Sequence, residues 1–131
     1  MTDLERAQRD QIAPWTNVLR DEKYYVVFRD AYPVTPGHLL FVPKRNSLDY
    51  IQDCFRDAME LGEFLIESGD CDAYNVGINR GSAAGQTVMY PHVHLIPRRN
   101  NDCEDPTGGV RGVIPMQQNY KNPGYTLPQD K

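Results

Sequence analysis

The chain has 131 residues, enough for one compact domain with a hydrophobic core, and we predict a single domain over residues 1–131. Its hydrophobic fraction of 40% and charged fraction of 24% are ordinary for a globular protein, and a net charge of −4 argues against binding nucleic-acid duplexes or anionic membranes. The three cysteines lack a C-x-x-C spacing, and no run resembles a signal peptide or a membrane span. We therefore expect a soluble, cytoplasmic protein with reduced thiols.

The first third of the chain predicts one short helix and three strands. Thr2 and Glu5 match a capping box, which predicts a helix over roughly residues 3–12. A polar turn between two apolar runs predicts a β-hairpin over residues 17–28. The apolar run at 38–42 predicts a further strand, because a proline follows it at once.

The middle of the chain predicts the one long helix. Ser47 is a suitable N-cap, and apolar residues then recur at three- and four-residue steps until about residue 68, where a glycine ends the pattern. Strands are predicted at 74–79 and 88–96, joined by a glycine- and alanine-rich turn at 80–85. These elements predict an α+β domain, an antiparallel sheet with one major helix on one face.

The predicted strand 88–96 contains the residues that point to chemistry. Side chains alternate along a strand, so Tyr90, His92 and His94 are expected on one face and Val93 and Leu95 on the other. The apolar pair suits the face that packs on the helix. The two imidazoles are therefore expected side by side on the open face.

Two chemistries fit such a pair of histidines. A neutral imidazole is a good nucleophile toward phosphorus when an acceptor holds its other nitrogen, and the reaction then needs donors for the phosphate oxygens. The turn upstream offers such donors: the amide of Gly85, the side chain of Gln86 and the hydroxyl of Thr87. Alternatively, His38, His92 and His94 would form a three-histidine zinc site.

Four segments resemble signature elements of the histidine triad (HIT) family. They are GQTVMYPHVHLIPR at 85–98, YPVTPGHLLFVPKR at 32–45, YNVGINRGSAAGQTV at 74–88 and DPTGGVRGVIP at 105–115. They occur in the family's order within about residues 24–115, with a polar tail at 116–131. Ordered motifs of this length are far more specific than an isolated H-x-H pair.

The resemblance implies roles for individual positions. The middle histidine of the family motif, its nucleophile, corresponds to His92, and the last histidine, a phosphate and leaving-group contact, to His94. With the motif glutamine, the predicted catalytic set is His92, His94 and Gln86. The predicted substrate-binding set, including a carboxylate for the ribose hydroxyls at Asp30, is Asp30, His38, Asn79, Gly85, Thr87 and Tyr90.

The resemblance also implies an activity and an assembly. Members of the family have the HIT-like fold, form homodimers whose sheets join, and act on nucleoside phosphoramidates, dinucleoside polyphosphates or nucleotide sugars. We expect a nucleotide hydrolase that forms a nucleotidyl-histidine on a purine nucleotide and needs no metal or other cofactor. A nucleotide-binding protein with little hydrolysis, a nucleotidyltransferase and a zinc-binding module are the alternatives.

One position departs from the family pattern. Tyr90 stands where the first histidine of the triad is expected, and Pro91 follows it. A proline removes one hydrogen-bond donor from a strand, so a bulge or a locally unpaired strand is expected there. The missing first histidine leaves the predicted fold and binding intact and puts the rate of turnover in question.

Overall fold

The computed structural model describes residues 1–128, so the last three positions of the predicted tail 116–131 lie outside the described residues. The chain divides into two compact units, Met1–Asn100 and Asn101–Lys131. Compactness does not show that either unit folds alone, so the single domain over 1–131 stays a prediction.

The first unit combines a five-stranded sheet with one long helix. Its elements are α1 (Asp3–Arg9), β1 (Val18–Asp21), β2 (Tyr25–Arg29), β3 (Leu39–Pro43), α2 (Leu48–Glu67), β4 (Ala73–Ile78), a 3₁₀ turn (Ser82–Ala84) and β5 (Val93–Arg98). The strands lie in the order β1-β2-β3-β5-β4, and every neighbouring pair is antiparallel. The predicted α+β class, with one major helix against an antiparallel sheet, is confirmed.

The predicted helix starts are confirmed by their caps. The Thr2 hydroxyl accepts from the backbone N–H of Glu5, whose carboxylate accepts from the N–H of Thr2, completing the capping box. Ser47 caps α2 through the N–H of Tyr50. Gly69 follows the C-cap with φ of +83°, a left-handed conformation that favours glycine.

Two predicted boundaries are wrong. The helix predicted over 3–12 ends at Arg9, after which the N–H of Ile12 and that of Ala13 both bond the carbonyl of Ala7. The strand predicted over 88–96 begins only at Val93. Residues 88–92 run outside the sheet ladder, consistent with the missing N–H of a proline at position 91.

The sheet buries a separate apolar cluster on each of its faces. The helix-side cluster packs against α2 and contains Tyr25, Val27, Leu39, Phe41, Ile51, Cys54, Ala58, Val93 and Leu95. The opposite cluster packs against α1 and contains Leu4, Ala7, Ala13, Val26, Phe28, Leu40, Val42 and Tyr90, with Trp15 at its edge. The imidazoles of His38, His92 and His94 lie on this second face, away from α2.

A glycine allows α2 to approach the sheet closely. A Cβ atom at Gly62 would lie 2.7 Å from the ring of Tyr74 on β4, well inside van der Waals contact. Glycine lowers the intrinsic helix propensity at this position, and the packing of the tyrosine ring explains its presence.

The second unit is built around Arg111. It contains two 3₁₀ segments, Gly109–Val113 and Pro115–Gln117. The guanidinium of Arg111 donates to the carbonyls of Gln117 and Gln118 and to the hydroxyl of Tyr125. This arginine therefore connects the first 3₁₀ segment to residues 117–125 of the same unit. Within residues 1–128, no helix combines the length and the apolar character that a membrane span requires.

Candidate active site

The two histidines lie next to each other on the face of the sheet opposite α2. Their ring centroids are 5.2 Å apart. Val93 and Leu95, which alternate with them, are fully buried in the helix-side cluster. The alternation predicted from the sequence is therefore present, although His92 stands just before the first residue of β5.

The imidazole of His92 is oriented by a backbone carbonyl. Its Nδ1 lies 2.9 Å from the carbonyl oxygen of Tyr90. A carbonyl oxygen only accepts hydrogen bonds, so Nδ1 carries the proton. In the neutral ring, Nε2 then keeps its lone pair, and His92 is only partly buried.

A second chain of hydrogen bonds fixes the tautomers of His38 and His94. The backbone N–H of Val34 donates to Nδ1 of His38 at 3.0 Å, so the proton of neutral His38 resides on Nε2. That Nε2 lies 2.9 Å from Nδ1 of His94 and 3.4 Å from a carboxylate oxygen of Asp30. His94 accepts at Nδ1 and therefore carries its own proton on Nε2.

The electrostatics keep this pair of imidazoles neutral. Burial lowers the pKa of His38, and the nearby Asp30 carboxylate opposes part of that effect. Burial, assisted by the neighbouring His92 and His38, lowers the pKa of His94 to about 4. His94 is thus an uncharged N–H donor at neutral pH.

The geometry argues against the predicted alternative of a three-histidine metal site. A cluster with ligand atoms within 4.8 Å of one another comprises Asp30, His38 and His94, and His92 is not part of it. In this cluster Nε2 of His38 would have to be a ligand, but the Val34 amide places a proton on that nitrogen. Metal binding would require giving up that hydrogen bond.

Asp30 is held by its own loop. One carboxylate oxygen accepts from the backbone N–H of Tyr32, and the other faces His38. The ribose contact predicted for Asp30 stays a prediction, and its position beside the two imidazoles is compatible with it.

A cavity lies beside Trp15, the residue whose ring contacts His92, and none of the predicted site residues lines it. It has a volume of about 590 Å³ and is lined by Gln8, Gln11, Ala13, Pro14, Trp15, Thr16, Val18 and Phe28. The Trp15 ring lies 4.8 Å from the His92 ring and 6.1 Å from Phe28, measured between centroids. Tyr25, Phe28 and Phe41 are three buried aromatic residues of the sheet. Only Phe28 lines this cavity, and the other two pack on the helix side.

The turn before the histidines is tightly bonded within itself. The amide oxygen of Gln86 accepts from the N–H of Gly81, and its NH₂ group donates to the carbonyls of Val88 and Met89. The N–H of Gly85, expected as a phosphate donor, bonds the carbonyl of Ser82. Gln86 and Gly85 therefore stabilise the turn. Either residue could contact a phosphate, as predicted, only after these hydrogen bonds break.

The other predicted ligands of this region differ in accessibility. Thr87 is exposed, and Asn79 is partly exposed just after β4. Among residues 1–128, no hydrogen bond connects either side chain to the imidazoles, so their phosphate contacts stay predictions.

The side chain of Tyr90 points into the apolar core. Its side chain is 5% exposed, and its hydroxyl donates to the carbonyl of Pro43 at 2.6 Å. Burial raises the pKa of this phenol above its ordinary value. The substrate contact predicted for its side chain would require the ring to leave the core. Its contribution to the site is the main-chain carbonyl that holds His92.

Comparison with known proteins agrees with the arrangement of these motifs. Residues 13–101 match the HIT domain. The chain belongs to the HIT domain family. An uncharacterized HIT-like protein of Mycobacterium tuberculosis is 33% identical over 97 residues, covering 69% of this chain and 67% of the relative.

Two further HIT relatives extend the comparison. The adenosine 5′-monophosphoramidase HNT1 of Saccharomyces cerevisiae is 36% identical over 85 residues, which are 63% of this chain and 54% of the yeast protein. A zinc-bound histidine triad family protein from Mycobacterium smegmatis superposes with a TM-score of 0.61 at 25% identity, covering 71% of this chain and 74% of the other. HIT relatives of this chain are thus named as nucleotide hydrolases, and the fold is the HIT fold.

Trp15 contacts the candidate site, and the sequence motifs do not single it out. It is the single tryptophan of the chain and follows a proline, a pattern that indicates a turn and no more. No motif or periodicity connects it with His92, because 77 positions separate the two residues in the chain, counted from their numbers. Only the packing of the 13–17 segment against the sheet brings them together.

Proposed function

We propose that the protein hydrolyses a nucleoside 5′-phosphate derivative through a nucleotidyl intermediate on His92. The observation that carries the proposal is the hydrogen bond from Nδ1 of His92 to the carbonyl of Tyr90. It fixes the tautomer in which Nε2 is unprotonated, which is the form a nucleophilic imidazole requires.

The reaction proceeds in two displacements. In the first, Nε2 of His92 forms a bond to the α-phosphorus, and the bond from phosphorus to the leaving group breaks. The leaving group departs with the electron pair and takes a proton from water. In the second, water attacks the phosphorus, the electron pair of the N–P bond returns to Nε2, and one proton is released to solvent. The proton on Nδ1 stays on His92 throughout.

His94 stabilises the negative charge that develops on the phosphate oxygens during each displacement. Its Nε2–H is a donor because His38 occupies its Nδ1, and its lowered pKa keeps it neutral. A fixed donor in a partly buried site stabilises developing negative charge without reorganising. The exposed hydroxyl of Thr87 is the candidate second donor.

The cavity beside Trp15 supports the proposed substrate class. An indole and a phenyl ring in its wall, Trp15 and Phe28, suit a nucleobase, and a purine offers the larger stacking surface. Asp30 then faces the ribose hydroxyls. The yeast relative is named as an adenosine 5′-monophosphoramidase, which supports adenosine 5′-phosphoramidate as the first substrate to test.

The backbone hydrogen bond that orients His92 favours hydrolysis rather than binding alone. A nucleotide-binding protein without turnover is the main alternative, because the first histidine of the triad is missing. The hydrogen bond that orients His92 comes from the backbone at this position, so it does not depend on which side chain is present.

The proposed assembly is a homodimer joined through β4. This strand is at one edge of the sheet, and its residues 74–78 are only partly buried. An edge strand with free backbone groups is a template for pairing with a second copy. Sedimentation equilibrium should give twice the mass of 15.0 kDa, and a single-chain mass at micromolar concentration would contradict the assembly.

The mechanism is tested by replacing His92 with alanine. The variant should release no adenosine monophosphate from adenosine 5′-phosphoramidate above the uncatalysed rate, while nucleotide binding stays measurable by calorimetry. Hydrolysis near the wild-type rate would defeat the mechanism. Product analysis with a competing phosphate acceptor distinguishes hydrolysis from nucleotidyl transfer.

A further inference from the structure

Trp15 contacts the ring that the mechanism uses. The centroids of the Trp15 and His92 rings are 4.8 Å apart, and the ring planes are inclined at 55°. Trp15 is itself held in place, since it packs against Phe28 and the apolar cluster on this face of the sheet. Ala13, two residues before Trp15, is buried, and its N–H donates to the carbonyl of Ala7.

His92 therefore has two supports of different kinds. The Tyr90 carbonyl binds Nδ1 in the plane of the ring, and this fixes the tautomer. A single hydrogen bond leaves the ring free to swing about that contact. The indole lies against the ring itself and limits this motion.

The indole also affects the stability of the positively charged intermediate. When Nε2 bonds to phosphorus while Nδ1 keeps its proton, the imidazole becomes a cation. A cation within about 6 Å of an indole ring is attracted to its electron-rich face, and the attraction grows when water is excluded. The neutral imidazole of the resting protein gains less from the same contact.

We propose that Trp15 is a positioning residue for His92, which holds the nucleophile in its attacking orientation and stabilises the cationic nucleotidyl-imidazole. This inference deepens the proposed function and depends on it. Trp15 has two conceivable roles, and they affect different kinetic constants. If its ring only lines the base cavity, its loss raises KM, whereas if it supports His92, its loss lowers kcat.

The test compares Trp15→Leu and Trp15→Phe with the wild-type protein in turnover of adenosine 5′-phosphoramidate. With leucine, which fills space without an aromatic face, kcat should fall about tenfold, the size that a partly desolvated cation–π contact supports. With phenylalanine, kcat should stay within about threefold. An unchanged kcat with a raised KM in Trp15→Leu would overturn the proposal, and so would equal kcat losses in both variants.

Tyr24→Leu is the matched control. Tyr24 is another partly exposed aromatic residue, packed edge-on against Tyr50 at 5.3 Å, and it lies just before β2 at the end opposite Asp30. Its kcat should equal that of the wild-type protein. Thermal unfolding of all variants identifies any that have lost the fold, and Trp15→Phe preserves the packing where leucine does not.

The contact itself is tested without turnover. Trp15 is the only tryptophan of the chain, so its emission reports one site. Because the His92 ring lies against the indole, the emission of His92→Ala should differ in intensity or wavelength from that of the wild-type protein. Identical emission from the two proteins would overturn the inference. A difference in emission in a protein that hydrolyses no phosphoramidate would instead refute the proposed function and leave the contact standing.

Discussion

Replacing Tyr90 with phenylalanine removes one hydroxyl group from the core on the face that carries the imidazoles. The hydroxyl is buried and donates to the Pro43 carbonyl at 2.6 Å. Losing the bond and leaving a buried carbonyl without this donor costs about 1–2 kcal/mol. For a domain of this size, that loss lowers Tm by roughly 5 °C.

The two readouts of this variant separate a structural hydroxyl from a catalytic one. Urea unfolding followed by circular dichroism should show the loss of stability, while kcat/KM should stay within about twofold because the hydroxyl points away from the site. Tyr24→Phe is the control, with an expected change below about 0.5 kcal/mol. Unchanged stability together with a tenfold loss of kcat/KM would refute the reasoning, since it would place the hydroxyl in the reaction.

The same argument predicts that restoring the family motif does not help this protein. In Tyr90→His the smaller ring leaves part of the Tyr90 space empty and places an imidazole among apolar side chains. We expect stability to fall by about 2–4 kcal/mol, with no gain in kcat. A faster and equally stable variant would show that the missing histidine limits turnover.

Three further predictions concern the imidazole pair and the helix contact. In His38→Ala, His94 loses the donor that fixes its tautomer, so kcat should fall roughly tenfold to hundredfold with a smaller change in KM, and wild-type kcat would contradict the chain of hydrogen bonds. Because the pKa of His94 is lowered from 6.5 to about 4, the unfolded chain binds this proton more readily, so stability should fall as pH drops from about 6.5 toward 4. Chemical unfolding across that range should show the slope flattened in His94→Asn, and an unaltered slope would contradict the assignment. In Gly62→Ala the new methyl group clashes with Tyr74, so the free energy of unfolding in urea should fall by about 1–3 kcal/mol. Gln52→Ala, on the exposed face of α2, is the control and should leave the free energy of unfolding nearly unchanged. Equal values for the two variants would refute the close packing.

The fold was predictable from the sequence where local signals decide it. The capping box at Thr2, the N-cap at Ser47 and the glycine stop after α2 are local rules of backbone hydrogen bonding, and the structure follows them. The alternation of His92 and His94 with apolar residues likewise follows from strand geometry.

The features that the sequence does not predict depend on contacts beyond local sequence patterns. The segment before β5 is held by Gln86, which bonds the carbonyls of Val88 and Met89, and an amide side chain carries no sign of which carbonyls it will bind. Tyr90 was expected at the substrate because it shares a face with the histidines. That face is also packed by α1, so its ring is covered. Trp15 reaches His92 only through tertiary packing.

The central claim is a covalent bond between Nε2 of His92 and the phosphorus of a nucleotide. Quenching the protein in alkaline denaturant within milliseconds of mixing with adenosine 5′-phosphoramidate, followed by peptide mass spectrometry without exposure to acid, tests it most directly, because acid hydrolyses the phosphorus–nitrogen bond. The account predicts an adenylyl group on the peptide that contains His92, attached to that residue and absent from His92→Ala. Rapid hydrolysis with no adduct at any quench time, or an adduct on another residue, would contradict it.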